Sequence, residues 1–216
     1  MGTMSDFAKR WSSPQGEGVG ERIKGAVRPE GPLKPRIEQA TRQLQMQITK
    51  LDNTANKLKE KDNATFSKIV NYLQKHDTDH ATVYANELAE IRKMYKMISQ
   101  ARLALEQIVT RLSTVTDLGD VVVTLAPAMS VIRSVKTGLT QVMPAAEGEI
   151  SEISSMLSSI LVDAGQMSGT TLNFESANED AEKILAEAST LAEARMKEKL
   201  PDLGTLGISE GEKHQI

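Results

Sequence analysis

Residues 33–75 read LKPRIEQATRQLQMQITKLDNTANKLKEKDNATFSKIVNYLQK. Apolar side chains fall at Leu33, Ile37, Ala40, Leu44, Ile48, Leu51, Ala55 and Leu58, then at Phe66, Ile69 and Leu73. Up to Leu58 the steps alternate between three and four residues, which draws one stripe along a helix and rules out the period of two that a strand needs. Asp62 is the one polar intruder. A second stripe follows at Tyr84, Leu88, Ile91, Tyr95, Ile98, Leu105, Ile108, Leu112 and Val115, with Arg102 interrupting it. The two segments predict helices over 33–75 and 79–118, folded into a hairpin. Each is about 40 residues, or roughly 60 Å at 1.5 Å per residue. A hairpin that long buries one seam and leaves its flanks for neighbours.

His76-Asp77-Thr78-Asp79-His80 is the polar tip between them. Asp77 or Asp79 suits the cap of the second helix. The two histidines are four apart, a metal-ligand spacing, but a solvated turn accounts for them and no metal is expected. Beyond the hairpin, Asp117-Leu118-Gly119-Asp120 and Val121-Val122-Val123 weaken the helical pattern, and Pro127 is expected to end or kink any continuation. Gly119 and Pro127 therefore mark a candidate hinge. Shorter helices are expected at 128–143, closed by Pro144, and at 145–164. A last helix is expected at 176–200, opened by the capping box Ser176-Ala177-Asn178-Glu179 and stopped by Pro201. Residues 201–216 read as a flexible tail. The fold class is all-α.

Composition agrees with that class. Of 216 residues only 3% are aromatic, and cysteine is absent, which excludes disulfides, thiolate nucleophiles and cysteine-bound zinc. No apolar run approaches the roughly 20 residues of a spanning helix, and the N-terminus lacks the roughly 7–15-residue apolar core of a signal peptide. A cytosolic protein is expected. Gly16-Glu17-Gly18-Val19-Gly20 is not a phosphate loop, because no strand precedes it and no Gly-Lys-Ser/Thr follows. With no paired-carboxylate pocket or nucleophile elbow, neither a catalytic residue nor a cofactor is expected.

Charge is unevenly spread. Residues 1–75 carry 14 basic and 8 acidic groups, 76–125 carry 5 and 7, and 126–216 carry 7 and 14. A basic front suggests an anionic partner, and an acidic back suggests self-association or autoinhibition. Residues 1–3 precede a second methionine, Met4, and read as a cloning scar. From Met4 to Trp11, Met4, Phe7, Ala8 and Trp11 share one helical face, with Lys9 and Arg10 beside them. Aromatics for the headgroup boundary and cations for anionic phosphates make 4–11 a small interfacial membrane anchor. The Gly/Pro-rich linker 12–32 adds Arg22, Lys24 and Arg28, and the helix start adds Lys34 and Arg36. A basic helix with few aromatics is a poor reader of single strands, and no specific nucleic acid is expected.

This order of parts, a short amphipathic N-terminus, a basic linker, a long basic helix, a hairpin and an acidic last helix, resembles the ESCRT-III superfamily. It is most similar to its archaeal CdvB branch. The residues that carry the likeness are Arg22-Ile23-Lys24, Pro35-Arg36-Ile37, Gln43-Leu44-Gln45-Met46-Gln47-Ile48 and Lys50-Leu51. The likeness implies a protein that polymerises on the inner face of the cell membrane at the division site, with itself and with paralogous subunits. It also implies constriction and scission of anionic membranes and disassembly by an AAA-type ATPase. That ATPase's MIT domain would grip the C-terminal region. Leu200-Pro201-Asp202-Leu203 is similar to the Leu-Pro-x-apolar-Pro motif, with Gly204 in place of the second proline. Arg195-Met196 matches the helical version of the motif, with Lys199 where leucine is usual. The chain resembles the shorter paralogues that lack a winged-helix tail. In the closed state, acidic helix five is expected to fold back on the basic hairpin. A soluble coiled-coil scaffold or holdase is the alternative reading.

Overall fold

The computed structural model describes residues 33–115, 118–168 and 174–201. Five helices follow in order: α1 Leu33–Gln74, α2 Thr78–Ser113, α3 Leu118–Thr140, α4 Ala146–Ser168 and α5 Phe174–Lys199. No strand occurs among the described residues.

α1 and α2 pack along their lengths as the antiparallel hairpin. The stripe forms the seam: Leu44, Leu51, Leu88, Ile91, Ile98, Leu105 and Ile108 are all at most 1% exposed. Truncating any of these leucines to alanine would cost about 2–5 kcal/mol through lost transfer energy and the cavity left behind. The turn is tight. His76 takes a left-handed φ of 59°, and Asp77 caps α2 by accepting from the His80 backbone N–H at 3.2 Å. The His80 ring pairs with the Asp77 carboxylate at 2.8 Å and stacks on Tyr72, which stacks in turn on Tyr84.

Asp62 is not an interruption of the seam but a buried part of it. Its carboxylate is 1% exposed and receives Arg92 Nε of α2 at 2.8 Å. Arg102 likewise reaches Asp52 across the hairpin at 3.6 Å and Glu106 on its own helix at 2.6 Å.

The expected helix break at Pro127 is corrected. α3 begins ten residues earlier than expected, at Leu118, and runs through Pro127 to Thr140. Proline removes the N–H that would bond the carbonyl of Val123. Val123 is 69% exposed, so water can serve that carbonyl, and the missing bond does not strand a buried group. Val121, Val122, Leu125 and Ala128 are buried, and that packing outweighs the weak helix propensity of the valines. The gap between helices lies instead between Ser113 and Leu118. α4 extends past the expected end at Ala164 to Ser168, and α5 starts at Phe174, which puts the Ser176 capping box inside the helix rather than at its start.

The three later helices divide the hairpin between them. α4 packs on α1 and α3, while α5 packs on α2 and α3. The expectation that acidic helix five covers the basic first helix is therefore corrected: α5 reaches the hairpin on the α2 side. Its contacts there are Lys96 Nζ to Glu193 at 2.6 Å and Gln107 to Glu187 at 3.3 Å. Most buried apolar residues join one continuous core, and a smaller cluster around Ile69, Ala81 and Leu88 closes the distal hairpin.

Candidate functional site

Arg36, Lys50, Lys57, Lys61 and Lys68 fall along α1 at intervals of fourteen, seven, four and seven residues. At 100° per residue these cations occupy an arc of about 60°, so α1 carries a basic stripe along one flank. The acids of α1, Glu38, Asp52 and Glu60, project from a different arc, and the apolar stripe faces α2. The one-sidedness follows from the spacing, because intervals of four, seven and fourteen return to one side of a helix.

α4 lies on the proximal half of this stripe. Arg36 Nη1 meets Asp163 at 2.5 Å, and its other terminal nitrogen donates to Ser159. Lys50 Nζ donates to both oxygens of Glu149, at 2.6 and 2.7 Å, and the Gln47 side-chain amide donates to the same carboxylate. The hydrogen bond from Lys50, and then that from Gln47, holds Glu149 below its ordinary value of 4.5. Thr54 against the Met143 sulfur at 3.5 Å marks the far edge of the cover. Beyond it, Lys57 and Lys68 are exposed. Lys68 Nζ sits 5.0 Å from the Tyr84 ring centre, and Lys61 pairs with Glu87 of α2 at 3.1 Å.

Of the residues expected to touch lipid, Lys34 is exposed in the first turn of α1, whereas Arg36 is engaged by α4. Met4, Phe7, Lys9, Arg10, Trp11, Arg22, Lys24 and Arg28 lie outside the described residues, as do Leu203 and the side chain of Gly119. The residues of the ATPase motif are not presented as a free tail. Leu200 is 8% exposed, Met196 packs against the core, and Arg195 is half-buried. The Pro201 carbonyl accepts from Arg92 Nη2 at 2.6 Å. Arg92 thus holds the end of α5 with one nitrogen and buried Asp62 with the others. Among the described residues no group of three or more histidine, aspartate or glutamate side chains is placed to hold a metal ion. No helix among them is long and apolar enough to cross a membrane.

Sequence reasoning missed the two ion pairs of the hairpin, though the signal was present. Asp62 and Arg92 each lie fifteen residues from Asp77 at the turn, and Asp52 and Arg102 each lie twenty-five from it. Opposed helices joined at that turn must bring those positions level.

An all-helical chain built on a long hairpin with three shorter helices laid against it has the architecture of an ESCRT-III subunit. Comparison with known proteins narrows this. The chain is 38% identical over 208 residues to Cell division protein B1 of Sulfolobus acidocaldarius, covering 96% of this chain and 94% of that protein. It is 33% identical over 171 residues to Cell division protein B of the same organism, covering 79% of this chain and 66% of that protein. It belongs to the CdvB family of ESCRT-III proteins. No family model matches the chain, and no solved structure matches it.

Proposed function

We propose that this chain is a non-enzymatic subunit of an archaeal cell-division machinery that polymerises on the cytosolic face of the cell membrane at the division site and constricts it. Its relation to Cell division protein B1 over nearly the whole of both chains is the observation that carries this reading. Its partners are further copies of itself, paralogous subunits, and the anionic lipid surface. An AAA-type ATPase engages Arg195, Met196, Leu200, Pro201 and Leu203 through its MIT domain. Met4–Trp11 supplies the apolar foothold, with Phe7 and Trp11 at the headgroup boundary, and Lys34 and the linker cations add charge. Each cation near an anionic surface contributes about 1 kcal/mol, and repetition along a filament converts weak single contacts into avidity. Extension of α2 toward α3 across the gap between Ser113 and Leu118, beside Gly119, opens the subunit and lets hairpins stack. Pro127 travels with α3 as part of that moving unit.

The test is co-sedimentation of the full chain with vesicles of phosphatidylglycerol and phosphatidylcholine. Binding to the anionic vesicles that is lost in Phe7→Ser/Trp11→Ser, with helical content by circular dichroism retained, is the expected result. Binding unchanged by that double substitution would remove the anchor from the mechanism.

A further inference from the structure

α1 carries a continuous basic stripe, yet only its distal half is open. Three separate polar contacts tie α4 to the proximal half: Asp163 on Arg36, Ser159 on Arg36, and Glu149 on Lys50 and Gln47. α4 contains Glu147, Glu149, Glu152 and Asp163 and no basic residue. Two of those carboxylates stand where phosphates would stand if the stripe lay on an anionic surface. Carboxylate and phosphate are read by the same guanidinium and ammonium donors, so one can take the place of the other.

The seam is also built to part. Gln47 is 5% exposed, and its Oε1, like that of Gln43 on the same flank, is buried without a protein hydrogen-bond partner. A buried unpaired amide oxygen penalises the closed arrangement, and separation of α4 returns both oxygens to water. The ion pair beside them is solvent-accessible, with Lys50 and Glu149 side chains 53% and 43% exposed. A pair of this kind holds weakly and is screened by salt. α5 makes no such claim on the stripe, since its polar contacts go to α2.

We infer that α4 is a releasable anion mimic: Glu149 and Asp163 occupy Lys50 and Arg36 in the closed chain, and the phosphates of an anionic membrane compete for the same two cations. This rests on the proposed membrane role and adds its control. Exposed Lys57 and Lys68 make the first contact, and displacement of α4 then extends the contact along α1 toward Arg36. The cost of breaking two ion pairs sets a threshold of surface charge, below which the chain stays closed.

The experiment compares the wild-type chain, Glu149→Gln/Asp163→Asn, and Glu152→Gln/Glu198→Gln, by titration with vesicles of graded phosphatidylglycerol content. The third chain removes two negative charges from exposed sites away from the seam, so it controls for net charge. The seam variant is expected to reach half-binding at a several-fold lower phosphatidylglycerol content than wild type, with the control chain close to wild type. Fluorophores at Thr54→Cys and Met143→Cys are expected to separate on anionic vesicles and to stay close on phosphatidylcholine. Equal shifts in the seam variant and the control, or no separation of the labels on vesicles that bind wild type, would overturn the cover while leaving the membrane role standing. Absence of binding by all three chains at low salt would overturn both.

Discussion

Asp62 of α1 and Arg92 of α2 meet at 2.8 Å inside the hairpin seam, with the carboxylate 1% and the guanidinium side chain 18% exposed. The pair sets the register of two long helices whose leucine and isoleucine stripes alone would tolerate a slip by a turn. Removing one partner leaves an unpaired buried charge. Arg92→Leu is expected to destabilise the chain by about 3–5 kcal/mol, whereas Asp62→Leu/Arg92→Leu is expected to recover most of that loss. Urea denaturation of the wild-type, single and double variants checks this. Equal losses in the single and double variants would show that the ion pair is not what the seam depends on.

Arg92 also ties the chain end to the hairpin through the Pro201 carbonyl. Truncation after Lys199 removes that contact together with buried Leu200. It is expected to raise amide exchange in the last turns of α5 while leaving the α1–α2 seam protected. Hydrogen-exchange mass spectrometry reads both regions in one experiment.

Two carboxylates that fasten the later helices sit below their ordinary value of 4.5. Glu149 does so through its hydrogen bond from Lys50, and Glu193 through that from Lys96. A depressed carboxylate contributes stability that is present above its unfolded value and is lost as pH falls through its folded value. Stability is therefore expected to fall on acidification from just above pH 4.5, and to fall less steeply in Glu149→Gln/Glu193→Gln. Both groups are near the surface, so the difference is small and shrinks with salt. Thermal melts over a pH series, at low and high salt, measure it.

Much of this fold is legible in the amino-acid order. The three-four periodicity of Leu33–Leu58 and Tyr84–Val115 places the hairpin, because a seam of that length admits one period only. The turn centred on Asp77 then fixes which charges face each other. Pro127 misled for a physical reason: its penalty depends on whether the orphaned carbonyl is buried, and exposure of Val123 depends on the tertiary fold. Which acidic helix covers the basic one was likewise hidden. α4 and α5 both carry several acids, and charge totals do not say which side of the hairpin each helix takes. The anchor Met4–Trp11 rests on sequence alone.

Gly138 shows a position where the chain is not optimised. A Cβ built there meets nothing within 4 Å, and the residue lies inside α3. Gly138→Ala is expected to stabilise the chain by about 0.5 kcal/mol through the lower backbone entropy of its unfolded state. A rise in the thermal midpoint with unchanged lipid binding is the expected outcome.

Negative-stain microscopy of the purified full chain, with and without phosphatidylglycerol vesicles over a salt series, tests the polymer most directly. Filaments or protein-coated tubes that need anionic lipid and weaken as salt rises are expected. A monodisperse particle indifferent to both lipid and salt would contradict the proposed role and leave a soluble helical scaffold in its place.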